Sequence, residues 1–193
     1  MAKALNLITL LLECRGFSLS LPGRKWRALI YYTQISNLLA ALSCLLLLVL
    51  GPERKFVVLM RYSAVCMLVM TALVTVGILV PMGADPQRML WSGNGLYHHV
   101  LCPLLATLSY LFAEFHAPPG AALFPVLLTL VYGVVMTGLN ASGRVDGPYP
   151  FFRVRSQTPK ATVLWILALM ALISGICAAV WALAGQGGNN GRI

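Results

Sequence analysis

Long apolar stretches separated by short breaks dominate this chain. A helix that crosses a bilayer needs roughly 20 mostly apolar residues, and five stretches meet that requirement, at residues 28–50, 56–80, 95–112, 121–139 and 161–184. A sixth stretch, at residues 5–21, is weaker because Glu13 and Arg15 interrupt it. We therefore predict six transmembrane helices, of which the first is the least apolar.

Helix-breaking residues fall between these stretches. Pro22-Gly23, Gly51-Pro52, Pro81 and Pro118-Pro119-Gly120 each separate one apolar stretch from the next. The longest connection runs over residues 140–160. The pattern predicts an all-α polytopic membrane helix bundle that forms a single transmembrane domain over residues 1–184, and a flexible glycine-rich tail over residues 185–193.

Composition supports the membrane assignment. The chain has 193 residues, of which 59% are hydrophobic and 10% are charged, and its mean hydropathy is +0.82. Soluble domains carry about 25% charged residues. The 14 Lys and Arg residues outnumber the 5 acidic ones, but they lie between apolar stretches and form no surface interleaved with aromatic residues. They are therefore expected to anchor helix ends at lipid headgroups and not to bind nucleic acid.

The basic residues also predict an orientation. The first, third and fifth connections hold Arg24, Lys25, Arg27, Arg88, Arg144, Arg153, Arg155 and Lys160. The opposite side holds Lys3, Arg54, Lys55, Arg61 and Arg192. Because positive charge accumulates on the cytoplasmic side, the odd connections are expected in the cytoplasm and both chain ends outside.

The cysteines give no sign of a metal site or a disulfide framework. All five lie in or beside apolar stretches, and none forms a CxxC pair. They are best interpreted as small buried hydrophobic residues. The sequence therefore predicts no metal and no cofactor, and the expected partners are membrane lipids.

Polar residues inside spanning helices are costly, so each needs a partner or a purpose. The second predicted helix opens with Thr33 and Asn37 on one face. The fourth opens with the adjacent pair His98-His99. Both helices start from the same side of the membrane, at depths that match within a few ångströms at about 1.5 Å per residue. The long fifth connection brings the rigid aromatic segment around Tyr149 back to that side.

These positions allow a nucleophile and a base to meet at the membrane edge. A threonine hydroxyl is a weak nucleophile that an adjacent histidine can activate. His98 and His99 diverge by about 100° around the helix, so only one of them is expected to face Thr33. Asn37 can orient the hydroxyl or donate to an oxyanion. Such a pair can cleave an ester whose acyl chains lie in lipid.

A non-catalytic interpretation competes with this one. Threonine, serine and asparagine in spanning helices most often bond to neighbouring helices or to their own backbone carbonyls. The same polar residues can also line the pocket of a non-enzymatic lipid-binding or small-molecule transport protein. Thr33 and a histidine nitrogen within hydrogen-bond distance, facing a cavity, would favour the catalytic interpretation.

Three short segments carry a family resemblance. They are YYTQISNLL at residues 31–39, LYHHVLCP at residues 96–103 and GPYPF at residues 147–151. In this order and spacing they resemble the androgen-induced protein family and its bacterial six-span relatives. The resemblance implies a multipass hydrolase of lipid esters, such as fatty acid esters of hydroxy fatty acids, with a threonine nucleophile and a histidine base.

Carried over residue by residue, the resemblance assigns Thr33 as the nucleophile. Counting back from Pro103 favours His98 as the catalytic histidine, with His99 as the alternative. Asn37 and Tyr149 are supporting candidates. Ser36-Asn37 and the Tyr-Pro-Phe segment are most similar to the bacterial branch, which favours a bacterial inner membrane and leaves the ester substrate open.

Overall fold

The computed structural model describes residues 1–22, 25–114 and 116–189. Six long helices run through these residues: α1 (Ala2–Ser20), α2 (Tyr32–Leu50), α3 (Lys55–Leu79), α4 (Gly93–Ala113), α5 (Leu123–Ala141) and α6 (Pro159–Asn189). The described part of the chain contains no strand. The predicted all-α membrane bundle is confirmed, and α2 to α6 are each long and apolar enough to cross a membrane.

Helix α1 has its polar side turned inward and its apolar side turned outward. Its five buried residues are Asn6, Thr9, Glu13, Gly16 and Ser20. They recur every three or four positions, so they form one stripe along the helix. The large hydrophobic side chains exposed on the same helix are Leu7, Ile8, Leu11 and Leu19. A helix that buries polar groups and presents leucine outward suits lipid surroundings and not water.

The contacts of α1 extend over the full depth of α4. Near its start, Asn6 Nδ2 donates to Ser109 Oγ at 3.2 Å and to Glu114 Oε1 at 2.8 Å, beside the end of α4. At its other end, Ser20 Oγ donates to Gln34 Oε1 at 3.2 Å, beside the start of α2. Helix α1 therefore reaches from one face of the bundle to the other, as the five apolar helices do.

Helix α3 lies at the centre of the bundle and contacts α2, α4, α5 and α6. It carries a fully buried cation, because Arg61 is 1% exposed. Its guanidinium donates to both carboxylate oxygens of Glu114, from Nε at 2.9 Å and from Nη2 at 2.8 Å. A bidentate pair of this kind satisfies charges that hydrocarbon cannot solvate.

The buried ion pair changes which basic residues count toward the orientation of the protein in the membrane. Arg61 was one of the cations placed on the outer side, but it lies inside the bundle and not at a lipid headgroup. Without Arg61, fewer cations lie on the outer side, so the excess of positive charge on the odd connections is larger. The orientation itself stays a prediction. Residues 185–189, expected to begin the flexible tail, are helical, and residues 190–193 lie outside the described residues.

A spanning α1 has a consequence for the two ends of the chain. With six crossings, reporter tags fused before Met1 and after Ile193 should lie on the same side of the membrane. Accessibility to a membrane-impermeant reagent in sealed vesicles measures this. If α1 lay along the surface instead, five crossings would put the two tags on opposite sides.

Candidate active site

Thr33, one residue into α2, meets a histidine and a tyrosine that come from distant parts of the chain. Its Oγ1 lies 3.3 Å from His99 Nε2 on α4 and 3.2 Å from the hydroxyl of Tyr149 in the long fifth connection. Thr33 is 8% exposed, His99 7% and Tyr149 8%. The expected meeting of a threonine and a histidine under one face is present, but the pairing with His98 is wrong, because the alternative His99 occupies that position.

The hydrogen bonds around Thr33 have a fixed direction. His99 Nδ1 lies 2.8 Å from the carbonyl oxygen of Met89. A carbonyl can only accept, so Nδ1 carries the proton, and in the neutral imidazole Nε2 is then the acceptor. The Thr33 hydroxyl therefore donates to His99 Nε2. This is the arrangement in which a histidine can remove the proton of an alcohol nucleophile.

Tyr149 is the second hydrogen-bond partner of the Thr33 hydroxyl. Its hydroxyl accepts the backbone N–H of Thr33 at 3.3 Å, so its own proton is available to donate to Thr33 Oγ1. Tyr149 lies outside the spanning helices, and burial raises the pKa of its phenol above the ordinary value. The phenol therefore stays protonated at neutral pH and remains a donor toward the threonine oxygen.

The start of α2 lacks the usual side-chain cap, and tyrosines replace it. The first backbone N–H groups of a helix have no partner within the helix. Here the N–H of Tyr32 donates to Tyr132 Oη at 3.0 Å and that of Thr33 donates to Tyr149 Oη. Both acceptors are neutral hydroxyls, so the positive end of the helix dipole points at the Thr33 site without a compensating anion.

A π-helical turn explains why His99 and not His98 faces Thr33. Residues Leu96–Leu101 form this turn, in which the Cys102 N–H donates to the Tyr97 carbonyl five residues back. Pro103 follows, and a proline ring clashes with the carbonyl four residues earlier, which belongs to His99. The wider turn relieves that clash and changes the direction of the side chains before it. The structure therefore presents His99, four residues before Pro103, to Thr33, whereas His98, five residues before Pro103, contacts Gln34.

Gly95 allows the carbonyl that orients His99 to come close. A Cβ at this position would collide with the carbonyl oxygens of Arg88 and Met89. The π-helical segment Gln87–Trp91 can therefore lie directly against the start of α4, which places the Met89 carbonyl at His99 Nδ1. Neither Gly95 nor Met89 was singled out in the sequence, because a backbone acceptor leaves no residue-type signal.

His98 and Asn37 serve other contacts. His98 faces α1 and α2, where Gln34 Nε2 lies 3.3 Å from its Nδ1 and the ring of Phe17 lies 4.9 Å away, centroid to centroid. Asn37 Nδ2 donates to the Thr33 carbonyl at 2.7 Å and to the His98 carbonyl at 3.3 Å. Asn37 thus joins α2 to α4 through backbone groups, and its amide does not contact the Thr33 hydroxyl, as it was expected to.

A polar cavity of about 560 Å³ opens above Thr33 at the face where α2 and α4 begin. Thr33, His99 and Tyr149 line its floor, and Arg88 and Arg153 stand in its wall. The two arginines are exposed. Water can therefore reach the catalytic candidates from this face.

A second, small apolar slot of about 60 Å³ also borders Thr33 and lies between α3, α5 and α6. Thr33, Leu79 and Tyr149 line both spaces. Towards the outside the slot is bordered by Gly133 and by Val134, which is 63% exposed on the surface of the bundle. Thr33 consequently stands at the boundary between a polar space and a lateral apolar opening.

Comparisons of this chain with protein-family models, with curated proteins and with solved structures return no match. Within the described residues, no group of three or more His, Cys, Asp or Glu side chains could hold a metal ion. The case for a function therefore rests on the geometry of the site.

Helix α1 packs closely against α4 only because residue 16 is a glycine. A Cβ at Gly16 would collide with the His98 imidazole, whereas a Cβ at Gly175 on α6 meets no atom within 4 Å. We expect Gly16→Ala to lower the free energy of unfolding by about 1–3 kcal/mol through overpacking. The matched change Gly175→Ala should raise it by about 0.5–1 kcal/mol through helix propensity. Unfolding in detergent followed by circular dichroism measures both, and equal effects would contradict the packing described.

Proposed function

We propose that this protein hydrolyses a lipid ester, with Thr33 as the nucleophile and His99 as the base. The proposal is supported by a chain of hydrogen bonds in which the Tyr149 hydroxyl donates to the Thr33 hydroxyl and the Thr33 hydroxyl donates to His99 Nε2. The chain matches what an alcohol nucleophile requires: an acceptor for its proton, held in one tautomer by a further partner.

In the first step Thr33 Oγ1 attacks the ester carbonyl while its proton passes to His99 Nε2. Negative charge develops on the carbonyl oxygen, and the Tyr149 O–H and the positive end of α2 lie beside the reacting atom. Collapse of the tetrahedral intermediate breaks the ester C–O bond. The leaving alcohol takes the proton from His99, and the acyl group stays on Thr33.

In the second step water from the polar cavity attacks the acyl-threonine. His99 Nε2 accepts one proton of this water and returns it to Thr33 Oγ1 as the ester bond breaks. A carboxylic acid is released and the neutral His99–Thr33 pair is restored. The polar cavity borders both Thr33 and His99, so water needs no passage through the bundle.

The two spaces beside Thr33 suit the two ends of a lipid ester. The apolar slot borders the outside of the bundle between α5 and α6, so the part of an acyl chain next to the ester can enter from the bilayer. The slot holds only about 60 Å³, so a longer chain would continue along the lipid-facing surface. Arg88 and Arg153 in the polar cavity suit a polar or anionic part of the substrate.

A serine-hydrolase probe tests the nucleophile directly. A fluorophosphonate should label the native protein and leave Thr33→Ala unlabelled, because the probe reports an activated hydroxyl. His99→Gln should slow labelling by about 100- to 10,000-fold, the range expected for loss of a general base.

Two controls make the labelling result specific. Thr107→Ala removes a hydroxyl on α4 that bonds only to the Pro103 carbonyl and lines neither space, so it should label normally. His98→Gln should also keep labelling, since His98 does not contact Thr33. Equal labelling of native protein and Thr33→Ala, or none in either, would refute the hydrolase and favour a protein that binds lipid without cleaving it.

The lateral opening predicts a dependence on acyl chain length. Gly133 borders the apolar slot, and a Cβ there meets no atom within 4 Å. Gly133→Leu should therefore fold and obstruct the slot, lowering hydrolysis of long-chain 4-nitrophenyl esters at least tenfold more than hydrolysis of the acetate. Gly138→Leu, also on α5 with no atom within 4 Å but outside the slot, is the matched control. A loss that is the same for every chain length would exclude this entry route.

A further inference from the structure

A carboxyl group on α1 and an imidazole nitrogen on α4 face each other inside the bundle without forming a hydrogen bond. Glu13 on α1 and His98 on α4 are both 0% exposed. Among the described residues, no nitrogen or oxygen donor lies within hydrogen-bond distance of either Glu13 oxygen, His98 Nε2 has no partner, and the thiol of Cys102 on α4 lies beside the carboxyl. The distance from Glu13 Oε2 to His98 Nε2 is 3.7 Å, too long for a hydrogen bond but short enough for a small side-chain rotation to close.

The surrounding residues hold His98 in this position. Gly16, one turn along α1 from Glu13, leaves room for the imidazole, and Phe17 packs against its ring. On the other side of the ring, Gln34 Nε2 lies 3.3 Å from Nδ1, and the Ser20 hydroxyl donates to Gln34 Oε1. Gly16 and Phe17 of α1 therefore contact His98 directly, and Ser20 supports it through Gln34. None of these three residues contacts Thr33.

A buried carboxyl whose neighbours are only a thiol and an imidazole is costly in the ionised state. Buried ionisable groups in membrane helices occur mainly in ion pathways and proton relays. Arg61, the nearby buried cation, already has a bidentate partner in Glu114. The titratable or charged side chains that act on Glu13 and His98 from the packed helices are Cys44 on α2, Arg61 on α3, and His99 and Cys102 on α4.

We propose that Glu13 and His98 form an intramembrane site that binds one exchangeable proton, separate from the Thr33–His99 pair. In the unloaded state Glu13 is a carboxylate, His98 carries its proton on Nε2 and points it at Glu13, and Nδ1 accepts from the Gln34 amide. In the loaded state Glu13 is protonated and donates to Nε2, while the imidazole proton sits on Nδ1 and donates to Gln34 Oε1.

The two states differ by one proton and by a half-turn of the Gln34 amide. A proton arriving at Nδ1 forms an imidazolium, which passes its Nε2 proton to Glu13. The imidazole is left neutral, with its proton now on Nδ1, so no other group changes charge. Ser20 can serve either orientation of the amide, since a hydroxyl both donates and accepts.

The polar cavity supplies the proton. Gln34 lines this cavity and contacts His98 Nδ1, so the Gln34 amide is the group between the dyad and the aqueous space that serves Thr33. On the far side, the Glu13 oxygens face the bundle interior. The site therefore loads from the face where α2 and α4 begin.

Infrared difference spectroscopy of the purified protein in phosphatidylcholine nanodiscs tests the proposal. As the pH is lowered, the C=O stretch of a protonated carboxyl should appear and shift in D₂O, and this band should be lost in Glu13→Gln. The matched control Glu53→Gln changes an exposed acid and should keep the band. Thr33→Ala should also keep it, which separates this proposal from the hydrolase.

His98→Gln provides a second variant, which does not rely on the folding of Glu13→Gln. Without the imidazole partner, the band should titrate over a pH range displaced by at least one unit. A difference between native protein and Glu13→Gln that is the same at every pH would overturn the proposal, because the carboxyl would then not exchange its proton. An unchanged titration in His98→Gln would overturn the role of the dyad.

Discussion

Many polar side chains lie inside the bundle, where hydrocarbon cannot solvate them, and must pair with groups on other helices. Asn6, Ser36 and Arg61, for example, bond to Ser109, Thr71 and Ser43 on neighbouring helices. The need to pair these polar groups determines which helix faces meet more than apolar packing does. A leucine side chain is as well accommodated by lipid as by a neighbouring helix. Helix α1 illustrates it, since its inward face is the polar stripe that contains Asn6 and Glu13 while leucines point outward. The ion pair between Arg61 and Glu114 shows the same constraint at one face of the bundle. Removing either partner would leave an uncompensated buried charge, a loss of about 3–5 kcal/mol in other proteins.

The candidate site depends on departures from regular helix geometry. The π-helical turn before Pro103 turns His99 toward Thr33, and the missing side chain of Gly95 lets the Met89 carbonyl fix the tautomer of that histidine. These features set the direction of every hydrogen bond from Tyr149 to the backbone of Met89. The site therefore combines a nucleophile at a helix start, a base on a distorted turn and a phenol on a loop. The Met89 carbonyl orients the base and the Thr33 N–H binds the phenol, so backbone groups hold both partners of the Thr33 hydroxyl.

Much of this architecture follows from the sequence, because hydrophobic stretches and breakers report on a bilayer directly. The sequence also locates Thr33, the histidine pair and the Tyr149 loop at one face, since alternation of direction fixes which helix ends share a side. It does not identify which imidazole faces Thr33, because a π-helical turn shifts side-chain direction while leaving residue types unchanged. The sequence also does not reveal that Glu13 lies beside His98. Glu13 was interpreted as an interruption of the first apolar stretch, but it is part of the buried face of α1. Asn37 was assigned to the hydroxyl by helical spacing alone, and its amide instead binds backbone carbonyls.

Two histidines adjacent in sequence thus have separate surroundings: His99 lies between Thr33 and a carbonyl, whereas His98 lies between an amide and a carboxyl. The proposed chemistry requires that His99 keeps Nε2 free to accept the Thr33 proton. Nitrogen-15 NMR of histidine-labelled protein in nanodiscs at neutral pH measures this, with the His99 signals identified by their loss in His99→Gln. We expect a proton on Nδ1 and none on Nε2. A proton on Nε2 of His99 would contradict it, because Thr33 would then have no base.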